Sequence, residues 1–80
     1  IAVTYDHLNR FLKSLDNEQL GIILRSKGII KAADNEKWYY YDFVSGDYEI
    51  RLGESDYTGR IVLIGSSLDE DKIESLFFGE

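Results

Sequence analysis

Cysteine, proline and methionine are all absent from the 80 residues, and histidine and tryptophan occur once each. Without cysteine there is no disulfide, no thiolate metal site and no thiol nucleophile. That composition fits a reducing compartment, and a cytoplasmic location is expected. Basic residues are also scarce, nine against fifteen acidic ones, for a net charge of −6. A sequence-independent grip on nucleic acid needs clustered lysine and arginine to replace phosphate counterions, so nucleic acid is not an expected partner. The same balance disfavours an anionic membrane surface. The longest apolar run, around Ile61-Val62-Leu63-Ile64, falls far short of the ~20 residues needed to span a bilayer. No cationic stretch precedes a hydrophobic one at the start, so no signal peptide is in view. A translation product begins with Met and this chain begins with Ile1; it is expected to be an excised piece of something longer.

What remains is enough for one small domain, 1–80, with 44% apolar and 14% aromatic residues. A domain of this size buries only about 60% of its unfolded surface, but a core is feasible without staples. Residues 1–4 have β propensity, and Thr4 or Asp6 offers a helix cap. Leu8, Phe11, Leu12 and Leu15 then recur at helical spacing and predict an amphipathic helix with one buried stripe. Asp16 with Gln19 is expected to cap a short turn ending near Gly21. Residues 22–33 are rich in β-branched side chains and predict a strand, in which Gly28 marks a bulge or a close backbone approach. Residues 38–44 form an aromatic strand, Ser45-Gly46 a two-residue hairpin loop, and Tyr48, Ile50 and Leu52 alternate with polar residues on the return strand. Residues 61–64 do not alternate, which predicts a central strand covered on both faces. A last helix follows, capped by Ser67 with Glu70 or by Asp69 with Leu68 stapled to Ile73, and buries Ile73, Leu76 and Phe77. The order β-α-β-β-β-β-α predicts an α+β fold: a mostly antiparallel sheet of four to five strands with two helices on one face.

Catalytic, nucleotide and metal chemistry find little footing. Neither G-x-x-x-x-G-K-[ST] nor G-x-G-x-x-G occurs among the seven glycines. Gly65-Ser66-Ser67 precedes a helix, but it lacks a lysine and runs into Asp69, Glu70 and Asp71, which repel phosphate. His7, expected to be exposed in the first helical turn, has no second and third ligand at short spacing. Asp69, Glu70, Asp71, Glu74, Glu54 and Asp56 read as capping and solvation; an acid–base enzyme built on them needs two carboxyls in different environments. No catalytic, cofactor or metal residue is therefore assigned.

Two features point to contact instead. Arg25 and Lys27 are two apart on a strand and project to the same face, either as a solvated or edge-protecting face or as a small cationic patch for a partner. In Trp38-Tyr39-Tyr40-Tyr41, alternate residues share a face; one pair is core, and the other is either covered by a helix or exposed at an interface.

Four motifs stand in a characteristic order: Leu24-Arg25-Ser26-Lys27-Gly28; the aromatic strand 38–44; Gly59-Arg60 followed by the apolar run to Gly65; and Leu68-Asp69-Glu70 opening an amphipathic helix. With the preceding helix around Phe11-Leu12, this resembles the carboxy-terminal domain of the CobW family of GTP-binding metal chaperones over nearly the whole chain. It departs in having Ser66 where an arginine follows the glycine. The resemblance implies a parent protein with an amino-terminal P-loop GTPase domain, using GTP with Mg and handing zinc or cobalt to a client metalloprotein or assisting cobalamin synthesis. It implies no enzymatic activity for this piece, which would pack on the GTPase domain and help recognise a client. Arg25, Lys27 and Trp38 are the candidate contact surface. The alternative is a free-standing module that captures a protein or peptide on a sheet face or edge.

Overall fold

The computed structural model describes residues 2–78; Ile1, expected to open the first strand, lies outside the described residues. The elements follow the expected order: β1 (Ala2–Val3), α1 (Tyr5–Ser14), a 3-10 turn (Glu18–Leu20), β2 (Ile22–Ala32), β3 (Trp38–Val44), β4 (Asp47–Gly53), β5 (Arg60–Ser66) and α2 (Glu70–Phe78). The fold is α+β, a mixed sheet with both helices on one face.

Local chemistry sets most boundaries. The Thr4 side chain accepts from the His7 amide at 3.1 Å and starts α1. Asn17, rather than Asp16, caps the 3-10 turn by accepting from the Gln19 amide at 2.9 Å. Asp16 instead accepts from the Gly46 amide at 3.2 Å and ties the first helical segment to the β3–β4 hairpin. Gly46 has φ +86°, the left-handed geometry that lets two residues close this hairpin. Of the two caps open for α2, Asp69 is the one used: it accepts from the Lys72 amide at 3.1 Å. His7 is half-buried rather than exposed; its Nε2 meets the Phe77 carbonyl, joining the start of α1 to the last turn of α2.

β2 is the axis of the sheet. Its one side pairs antiparallel with β3, which pairs with β4. Its other side is shared by β5, antiparallel against Ile22 to Ile29, and β1, parallel at Lys31 and Ala32. The inner face carries Ile23, Ile30, Ala32, Tyr39, Tyr41 and Phe43, which pack on Leu8, Phe11 and Leu12 of α1 and on Ile73 and Phe77 of α2. Tyr39 and Tyr41 are thus the core pair, while Trp38 and Tyr40 face away. Burial pushes both core phenols up to about 12, with Asp34 adding to the effect on Tyr39. Asp34 accepts from the Tyr39 hydroxyl and the Tyr5 amide, in that order of effect, and is held below the usual carboxylate range.

Leu76, expected in the buried stripe of α2, is 38% exposed, because it turns towards the 3-10 turn beside Leu20 rather than onto the sheet. The sheet departs from expectation as well. β5 is an edge strand, not a central one: among the described strands it pairs with β2 alone. Its non-alternating sequence hides an alternating environment, with Ile61 and Leu63 half-buried on the inner face and Val62 and Ile64 exposed at 52% and 55%. The bulge in β2 lies at Leu24, where the pairing with β5 slips between Ile23 and Arg25, and not at Gly28. Gly28 serves the other purpose. A Cβ there would lie 2.2 Å from the Tyr41 ring, so the missing side chain makes room for the largest buried residue.

Candidate functional site

The outer face of the sheet carries no helix. The bulge turns both Leu24 and Arg25 outward, because the slip adds one residue to β2 and restores its alternation from Ser26 onward. Around Arg25 the face is apolar. Ile64 and Val44 are its partners on either side, and Val62 stands beside Lys27 on β5. Ile22, Leu24, Val44, Val62 and Ile64 are each half-exposed or more. A patch of this kind is unusual for a surface with no partner.

Charge on this face runs against that of the chain. Arg25, Lys27, Lys31, Arg51 and Arg60 lie on its strands, against Asp42, Asp47 and Glu49. The strands therefore carry two surplus positive charges in a chain whose net charge is −6. Asp42 and Glu49 are taken up by Arg51, at 2.8 and 3.1 Å, and Asp42 also lies 3.8 Å from Lys27. Those carboxylates raise the pKa of Arg51, the hydrogen bond it donates to Asp42 most of all. Arg60 meets Asp56 at 3.2 Å. Arg25 and Lys31 have no ion-pair partner among the described residues.

All three candidate contact residues lie on this face. Arg25 and Lys27 sit side by side within its apolar half. Trp38 is half-buried opposite Lys31, six positions along β3 from the Val44 that pairs with Arg25, or roughly 20 Å away at strand rise. Sequence reasoning missed Ile22, Leu24, Val44, Val62 and Ile64 as surface. An apolar run bounded by glycines gives no sign of which strand lies at the edge, and the bulge that turns Leu24 outward has no glycine to mark it.

Among the described residues no group of three or more His, Asp or Glu gathers to hold an ion. The Gly65-Ser66-Ser67 turn leads to an α2 N-terminus already capped by Asp69. No described helix is long and apolar enough to cross a membrane.

Fold and face together define an α+β domain whose two described helices cover one side of its sheet. The sequence matches the family model for the cobalamin synthesis protein cobW C-terminal domain over residues 2–79, and the chain belongs to that family. Among solved structures, it is similar to the Zn(II)-bound GTPase YjiA from E. coli and to a Zn(II)-bound triple mutant of that GTPase. Each has a TM-score of 0.81 and 23% identity, over 99% of this chain and 26% of the other. The chain thus spans about a quarter of the length of these neighbours, and at that identity they establish the fold. No curated protein sequence matches it significantly.

Proposed function

We propose that this domain is the accessory part of a CobW-like GTPase and packs through its outer sheet face on the GTPase domain of the same protein. The apolar strip of Ile22, Leu24, Val44, Val62 and Ile64 around an unpaired Arg25 carries this reading. Removing the exposed half of each such side chain from water stabilises an interface by roughly 1 kcal/mol. Arg25 and Lys27 set the docking against an acidic rim, and Trp38 anchors the far end of the face. The parent works in the cytoplasm, uses GTP with Mg, and hands zinc or cobalt to a client metalloprotein; this domain holds its partner surfaces in place and takes no part in the chemistry. Family membership and the Zn(II)-bound GTPase neighbour support that context.

The test uses the longer protein. Ile64→Glu should loosen the two domains, seen as a larger radius of gyration by solution scattering, with the circular dichroism unchanged. An unaltered radius for Ile64→Glu and for Arg25→Glu would oppose the reading.

A further inference from the structure

The two free edges of the sheet are built differently. β4 displays Asp47, Glu49 and Arg51 along its length, the charged edge that prevents strand addition. β5 displays Ile61-Val62-Leu63-Ile64 with no charge between Arg60 and Ser66, and no described strand pairs on its outer side. Alternate residues of this strand turn unpaired N–H and C=O groups outward. The edge also opens onto a cleft. α2 leans mainly on α1 and the 3-10 turn, which leaves a cavity of about 480 Å³ between it and β5, walled by Phe11, Ile61, Leu63, Ile73, Phe77 and Phe78. Glu70, Glu74 and Arg60 also line it; Arg60 is taken up by Asp56 at 3.2 Å, whereas neither glutamate has a cation partner among the described residues.

We infer that the β5 edge and this cleft form a strand-addition site for an extended basic segment of a partner protein. The segment's main chain continues the sheet beyond β5, satisfying the open backbone groups. Its alternate apolar side chains drop into the cleft beside Ile61, Leu63 and Phe77, and a flanking lysine or arginine meets Glu70 and Glu74. An extended strand is favoured over a helix, because a helix has no backbone donors or acceptors to spare for the edge. The two uncompensated carboxylates favour a basic occupant over an acidic one and over a second copy of this acidic chain. The site lies on the opposite side of β5 from Val62 and Ile64, so it stands or falls separately from docking through the outer face.

The probe is the peptide acetyl-Lys-Thr-Val-Thr-Leu-Thr-Lys-amide, with glutamates replacing both lysines in the control. Titrated into the isotope-labelled chain, the basic peptide should shift the amides of Arg60 to Ser66 and leave those of Asp47 to Gly53 in place. The double variant Glu70→Gln/Glu74→Lys should weaken the basic peptide about tenfold and improve the acidic one, a reversal that loss of folding cannot produce. Equal affinity for the two peptides, shifts on the β4 edge, or no shifts at millimolar peptide would overturn the proposal. So would β5 shifts that grow with protein concentration in the absence of peptide, which mark pairing between copies.

Discussion

The hydroxyls of Ser26 and Tyr41 meet at 2.7 Å in the core, on the inner face of β2 beside Gly28. The three residues form one unit: Gly28 gives the Tyr41 ring its place, and Ser26 supplies the hydroxyl partner of a fully buried phenol. Replacing Gly28 by Ala should displace the ring and break the pair, costing roughly 2 to 4 kcal/mol from overpacking and an unmet polar group. Tyr41→Phe should cost about 1 to 2 kcal/mol, and adding Ser26→Ala should recover part of that loss because no hydroxyl is then left alone. Urea unfolding of the four chains checks both statements.

Alkaline pH should unfold the domain through its tyrosines. Tyr39 and Tyr41 are raised to about 12 in the fold from an ordinary value of 10. The folded state therefore holds its phenolic protons more tightly than the unfolded chain does. Stability from this source is complete below pH 10 and is lost as pH rises from 10 towards 12. Tyr41 alone accounts for roughly 2 to 3 kcal/mol of that decline. Tyr41→Phe should flatten the alkaline limb measured by circular dichroism against pH, and an unchanged limb would disprove the assignment.

Asp34 gives the acid counterpart. Its carboxyl lies below its ordinary value because Tyr39 and the Tyr5 amide donate to it. The contribution is present at neutral pH and disappears as pH falls through the lowered value. Asp34→Asn should destabilise the chain at pH 7 and leave it close to the parent chain at pH 2, by chemical denaturation at both pH values.

Val62 and Ile64 stand exposed on the outer face of the sheet and are cheap to change. Val62→Lys should alter unfolding free energy by no more than about 0.5 to 1 kcal/mol, as for other surface positions. A strand covered on both faces would lose several times that, from a buried charge. Asp69→Ala, in contrast, should cost about 1 kcal/mol by removing the α2 cap.

These contrasts mark what was legible in the residues. Spacing revealed α1 through Leu8, Phe11 and Leu12, and alternation revealed the β3–β4 hairpin and the shared face of Arg25 and Lys27. Those features depend on neighbours a few residues apart. The cover of β5 does not: β1 and β5 share one side of β2, both described helices pack on the inner face, and this long-range arrangement leaves Val62 and Ile64 bare although their sequence reads as core. The bulge at Leu24 was equally silent, since it arises from the slip between two distant strands rather than from a glycine. The outer face proposed for contact is therefore legible in its charges and silent in its apolar half.

The central question is whether the outer face is covered when a GTPase domain is joined to this one, as proposed. Hydroxyl-radical footprinting of the 80-residue chain alone and of the proposed longer protein reads this directly, residue by residue. The account predicts that oxidation of Ile22, Leu24, Val44, Val62 and Ile64 falls severalfold in the longer protein, while exposed Tyr57 and Leu76 react equally in both. Equal oxidation of the five outer-face residues in the two samples would contradict it.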